Sequence, residues 1–339
     1  MPVFRTPSVP FLSRHTLLIL CCLIFLSLLS IVSALCMGSM EINFSQVLSA
    51  LLGDSNNLES RVVLELRVPR VVSGFLVGGM LALAGALMQV LLRNPLAEPY
   101  VLGVSGGASV FALLVMVMGM PAIWVNIGAF SGALVSILLV FGLARLGENW
   151  NPMRILLTGV VIAAGWGALI NFILAVSPST QIYGMLFWLM GDLVYAKFSV
   201  FSFIVLLSCL LISLAIARSL NLLTYGDEQA AVLGVSVTRL RYLIYFLASL
   251  LTATAVMQAG SIGFIGLIIP HLVRILLGSD HRLLLPVSVL LGGCLLVTAD
   301  GLSRSIIAPQ QLPVGVLTAM IGVPLFLVLL QSIIIKQKT

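Results

Sequence analysis

Of 339 residues, 60% are hydrophobic and only 8% are charged, whereas an ordinary soluble domain carries roughly 25% charged residues, so a water-soluble fold is excluded. The net charge of +6 comes from basic residues scattered between apolar blocks, which excludes a nucleic-acid-binding stripe and leaves a membrane-orientation signal. Cys21, Cys22, Cys36, Cys209 and Cys294 lie in or beside apolar runs without metal-ligand spacing and read as small core hydrophobes.

The apolar blocks approach the ~20 residues that a helix needs to cross a ~30 Å hydrocarbon core. Backbone groups in lipid must satisfy one another, and continuous runs without alternation rule out a barrel. The expected fold is therefore all-α, a polytopic membrane helix bundle of about ten transmembrane helices in one domain over 1–339.

The first run, Leu17 to Leu35, follows Arg5 and Arg14 but exceeds the roughly 7–15 residues of a signal-peptide core, so it is taken as a spanning helix. Further helices are expected at Pro69 to Leu92, Tyr100 to Met118, Ala122 to Leu143, Met153 to Val176 and Phe198 to Ile216. The last four fall at Tyr242 to Gln258, Ile262 to Leu277, Leu283 to Thr298 and Val314 to Ile335. Gly260, Gly263 and Gly266 interrupt the long stretch Tyr242 to Leu277, which could instead hold one span and a re-entrant segment; parity favours two spans.

With both termini in the cytoplasm, the inner side carries Arg5, Arg14, Arg93, Arg145, Arg154, Arg218, Arg239, Arg241, Arg274, Arg282, Lys336 and Lys338. The outer side keeps Arg61, Arg67, Arg70, Lys197 and Arg304, and twelve against five satisfies the positive-inside bias. Gly74, Gly78 and Ala82 recur every four residues and would let neighbouring helices approach closely.

Every Asp and Glu sits in a loop or near a helix end, which argues against an ion-coupled secondary transporter. His271 is expected to hydrogen-bond to a neighbouring helix. None of Lys197, Lys336 and Lys338 follows a glycine, so there is no Walker A loop, and the glycines of Gly103 to Gly107 fit close helix contact. No cluster of Cys, His, Asp and Glu could ligate a bare metal, and no nucleophile–base pair suggests catalysis.

Three segments break local rules or punctuate the bundle. Arg67 and Arg70 flank Pro69 at the positive end of a helix dipole, on the outer side, where they could reach lipid phosphates or the carboxylates of a docking protein. Arg93 to Pro99 contains two prolines and reads as a rigid turn, with Asn94 and Leu96 of interest only along a route. Gly226 to Gly234 reads as a short helix within 218–241, with an acidic first turn from Asp227 and Glu228 and a glycine stop. It is either an ordinary loop helix or a receiver of force from a soluble partner.

RVPR (Arg67 to Arg70), GALMQVLLRNPLAEPYVLGVSGGAS (Gly85 to Ser109), GDEQAAVLGVS (Gly226 to Ser236), GSIGFIGLIIPHLVR (Gly260 to Arg274), DHRLLLP and LPVGVLTAMIGVPLFLVLL keep one order over about four fifths of the chain. They resemble the permease subunits of binding-protein-dependent ABC importers for iron-siderophores, haem and cobalamin. The resemblance implies a type II importer architecture in the bacterial cytoplasmic membrane, with two permease subunits, identical or paralogous. Two ATPase subunits would consume ATP from beneath, and a periplasmic or lipid-anchored substrate-binding protein would dock outside. No cofactor is expected on this chain itself.

It further implies docking by Arg67, Arg70 and Arg304, an inner gate at Asn94 and Leu96, and ATPase coupling through Gly226, Asp227, Glu228, Ala231 and Gly234. Gln89, Asn171 and Gln258 could hydrate the pathway, or equally hydrogen-bond between helices. An iron-siderophore is the expected cargo, with haem or cobalamin as alternatives.

Overall fold

A computed structural model describes residues 14–338 except 39, 41, 54–56, 145–151, 195 and 197, and gives no side-chain environment at 14–16, 152 and 329–338. Arg5, Arg145 and Lys197, counted for orientation, lie outside the described residues, as do the side chains of Arg14, Lys336 and Lys338.

The described residues are helical without strands. In order they form α1 (Arg14–Cys36), α2 (Phe44–Leu51), α3 (Leu58–Arg61), a π-helical stretch Val62–Arg67, α4 (Val68–Leu92), a 3-10 turn Pro99–Leu102, α5 (Val104–Val117) and α6 (Ala122–Ala144). There follow α7 (Pro152–Val176), α8 (Ser179–Met190), α9 (Val200–Ala215), α10 (Ala217–Thr224), α11 (Asp227–Val232), α12 (Val237–Ala259), α13 (Ile265–Leu277), α14 (His281–Ser305) and α15 (Val314–Lys338).

Six elements are long and apolar enough to cross a membrane, namely Leu17–Cys36, Leu58–Leu92, Ala122–Ala144, Met153–Val176, Val237–Ala259 and His281–Ser305. The pair α9 and α10, bent by 62°, and the shorter apolar helices α5, α13 and Val314–Val328 bring the set to the ten expected positions. The short helices α2, α3 and α8 lie between them and were not expected from the apolar runs.

The core is built on α4, buried without interruption from Leu76 to Leu91 and apolar all round, as a helix enclosed by others must be. It packs against α12, α13 and α14. Two close approaches explain the small residues. A side chain at Gly78 would fall on the carbonyl of Gly292, and one at Gly85 on the backbone of Gly266. The other two residues of the four-residue stripe also sit in this seam, Ala82 against Gly292 and Gly74 against Leu193 and Val297. Gly107 meets Gly132 across α5 and α6 in the same way, the close helix contact expected of Gly103 to Gly107.

The helices α5 and α13, of 14 and 13 residues, are too short for a straight crossing. At 1.5 Å per residue, the 13 residues of α13 reach about 20 Å, against the ~30 Å of a hydrocarbon core. Residues 260–264 make the remaining descent without helix, so the stretch Tyr242 to Leu277 holds two helices, as parity required, the second of reduced length. The connection 93–99 enters from the opposite side. Pro99 lies against Gly266, which faces Leu81 and Gly85, about 10 Å or more above the end of α4 at Leu92. The two non-helical stretches meet inside the bundle, where the Glu98 carboxylate accepts the Phe264 N–H at 2.8 Å and the Tyr100 hydroxyl accepts the Ile262 N–H at 3.2 Å. Irregular backbone is tolerated at such depth where protein groups satisfy it.

That meeting corrects one sequence expectation. Glu98 does sit in a loop, but the loop re-enters the bundle and carries a carboxyl into its interior, which the spans alone left free of acids.

Candidate functional site

One end of the bundle holds a compact ionic network around the start of α4. Pro69 lacks the N–H that the carbonyl four residues earlier would receive, and the preceding turns widen to π geometry over Val62–Arg67. Arg67 emerges there and donates to the carbonyls of Leu35 (2.6 Å), Cys36 (2.9 Å) and Met40 (2.5 Å). Arg304 donates to the carbonyls of Ala34 (3.0 Å) and Met37 (3.1 Å). Two cations thus satisfy the open carbonyls at the C-terminal end of α1, where the helix dipole favours positive charge.

Arg70 turns instead to α14. Its Nε lies 3.0 Å from both carboxylate oxygens of Asp300, and its terminal nitrogens reach Asp300 at 2.7 Å and Gln311 at 3.0 Å. Arg304 Nε lies 3.1 Å from the same carboxylate, one helical turn away, and Asp192 stands 3.8 Å from Arg70. Burial raises the Asp192 carboxyl above its ordinary range, and Arg70 pulls it back. Arg67, Arg70 and Arg304 are 5%, 8% and 5% exposed, so the structure brings the three together with their donors turned inward. Their apparent conflict with the dipole of α4 is resolved by partners on α1 and α14.

At the opposite end of α4, Gly226 and Gly234 bracket the six-residue α11, both with positive φ. Ala230 is buried beneath it, while Glu228, Ala231, Val232, Leu233 and Gly234 are exposed. Asp227 accepts from Arg241 of α12 at 2.7 and 2.6 Å and pairs with Arg93, the left-handed residue that ends α4. Asn94 is half-buried, and its side-chain oxygen accepts the Leu96 N–H at 2.9 Å, which leaves Leu96 exposed. The connection and the short helix are therefore joined by one ion triad.

The model of the FecCD transport family matches residues 22–332. The chain belongs to that family. The hemin transport system permease protein HmuU of Yersinia pestis is 40% identical over 314 residues, 90% of this chain and 92% of that protein. The cobalamin import system permease protein BtuC of Halobacterium salinarum is 42% identical over 276 residues, 80% of this chain and 73% of that protein. A solved structure described as an inward-facing conformation of a metal-chelate type ABC transporter superposes with a TM-score of 0.83 at 30% identity, covering 93% of this chain and 99% of that one. The FecCD chain is thus a multi-pass ABC transporter permease.

The remaining candidates of this FecCD permease divide. Gln89 is buried and bonds between helices, donating to the Leu267 carbonyl at 3.2 Å and accepting from Arg274 at 3.0 Å, which is the interhelical alternative. Asn171 is exposed on α7, and Gln258 is half-buried near the end of α12. His271 is buried on α13, with no hydrogen-bond partner for either ring nitrogen among the described residues, contrary to the expected interhelical bond. Asp300, Asp192, Arg93, Arg241 and Glu98 were missed as site residues. Only Asp300 carried a local signal, an acid one turn before Arg304 on the same helix.

Proposed function

We propose that this FecCD chain is the membrane permease of an importer that carries an iron chelate, a siderophore complex as cargo class, across a bacterial cytoplasmic membrane. The observation that carries this reading is the family match over 22–332, joined to a permease-like bundle with a distinct polar assembly at each end. The haem and cobalamin relatives support a second reading within the same class, haem or cobalamin as cargo.

In this reading two permease subunits, identical or paralogous, frame the route with both termini in the cytoplasm, and the chain itself binds no cofactor. Two separate ATPase subunits consume ATP and push α11 through Gly226, Asp227, Glu228, Ala231 and Gly234. The exposed Val232 and Leu233 offer such a partner an apolar contact. Asn94 and Leu96 form the inner gate, and Gln89, Asn171 and Gln258 are the pathway candidates, of which Gln89 bonds between helices.

Arg67, Arg70 and Arg304 receive the carboxylates of a substrate-binding protein on the outer face. Those carboxylates compete with the α1 carbonyls and with Asp300, so docking is electrostatic, weak and reversible. Charge reversal at these arginines would also unseat α1, and docking is better tested by salt titration and by neutralising the binding protein's own acids.

The cargo class is tested by uptake into vesicles holding the complete complex with its binding protein, using a radiolabelled ferric siderophore, haem and cobalamin in turn. ATP-dependent uptake of the siderophore above the other two is expected. Uptake of cobalamin alone would refute the iron reading.

A further inference from the structure

Among the described residues, two non-glycine residues hold a left-handed backbone, Arg93 (φ 49°) and Phe264 (φ 71°), and they stand at the two ends of one chain of polar contacts. Side-chain-bearing residues adopt this conformation at a cost and keep it where the surroundings impose it. Arg93 occupies the position after α4 that glycine fills most readily, yet a long cation stands there and pairs with Asp227. Asp227 is gripped from the far side by Arg241, which is 4% exposed and anchored in α12.

From Arg93 the chain has little slack. Asn94 closes a turn on Leu96, and Pro95 and Pro99 restrict the backbone on either side. Glu98 then accepts the N–H of Phe264, and Tyr100 that of Ile262. Phe264 heads α13 and lies against Gly322 of α15. A displacement of α11 thus has a continuous, stiff route to the break where the two non-helical stretches meet. Were the Arg93–Asp227 pair only a surface ornament, it would add little at its exposure, and glycine would relieve the backbone.

We propose that Arg93 is a positioning residue that transmits movement of α11, through Asp227, into the connection 93–100 and on to Phe264. The short helix and the crossing inside the bundle then move as one body. This rests on the reading of α11 as the ATPase-facing helix and goes beyond it by naming the linkage.

Hydrogen–deuterium exchange on the complete permease–ATPase complex in nanodiscs, without nucleotide and trapped with ATP and vanadate, tests both levels at once. In the wild type, amides at 228–234 are expected to be protected by the ATPase, and amides at 96–103 to change exchange rate at least fivefold on trapping. Arg93→Gly, which eases the backbone and so spares the fold, is expected to keep the protection at 228–234 and ATP hydrolysis within twofold, but to lose the response at 96–103. Arg93→Lys is expected to restore the response. A normal response in Arg93→Gly, or none in Arg93→Lys, would overturn the linkage while leaving the role of α11 intact. Absence of protection at 228–234 in the wild type would overturn the underlying reading and the linkage with it.

Discussion

Asp300 is the most demanding residue of the fold, because one buried carboxylate holds two arginines. It is 2% exposed, takes bonds of 2.7 to 3.0 Å from Arg70, and lies 3.1 Å from Arg304. Asp300→Asn keeps the shape but removes the charge and one acceptor oxygen. Removing one partner of a buried ion pair costs about 3–5 kcal/mol. Arg70 would retain Gln311 at 3.0 Å and Asp192 at 3.8 Å, and Arg304 its two carbonyls, so the lower figure applies. A loss of about 3 kcal/mol is roughly 150-fold in the folding equilibrium. Reversible unfolding in mixed micelles, followed by tryptophan fluorescence, would measure it. Because apolar replacement of a whole buried pair is often neutral, Arg70→Met with Asp300→Leu should be more stable than Asp300→Leu alone, by at least ~1 kcal/mol of coupling. Asp300→Asn within about 0.5 kcal/mol of wild type, or strict additivity in the double variant, would refute the reasoning.

Gly85→Val places atoms on the Gly266 backbone, which cannot yield as a side chain can, and should cost about 1–3 kcal/mol or more. Gly165→Val, at a glycine with nothing within 4 Å, should stay within about 0.5 kcal/mol in the same unfolding assay, and equal losses at both would contradict the packing. Burial holds the Asp192 carboxyl above its ordinary range, so the folded state binds its proton more tightly than the unfolded chain does. Its contribution is fully present below the ordinary carboxylate pKa of about 3.9 and falls as pH rises from there to the raised value. The stability difference between wild type and Asp192→Asn should therefore shift towards the variant as pH rises through that window, and a difference independent of pH would exclude the effect.

The spans were legible because each transmembrane element must supply its own apolar run. All ten expected positions carry helices, including α5 and α13, which start at Val104 and Ile265 rather than at the expected Tyr100 and Ile262. What lay hidden depends on neighbours distant in sequence. Arg70 and Asp300 stand 230 positions apart, and nothing local pairs them. Arg67 broke the dipole rule only with respect to its own helix, since its partners are the carbonyls that end α1. Glu98 was assigned to a loop correctly, but a period-based reading takes loops as surface, and the descent of 93–99 into the bundle has no apolar signature. Likewise α2, α3 and α8 are too short to stand out between longer runs. Gln89 left two readings open until the carbonyl of Leu267 and the guanidinium of Arg274 were seen on either side of it.

The proposed division of labour, in which this permease moves the cargo and separate subunits hydrolyse ATP, is tested most directly in proteoliposomes. Vesicles holding this chain with its ATPase partners, supplied with the binding protein and a labelled ferric chelate, should accumulate label only when the ATPases are given ATP. Vesicles holding this chain alone should accumulate none under any proton or sodium gradient. Gradient-driven uptake in the absence of the ATPases would contradict it.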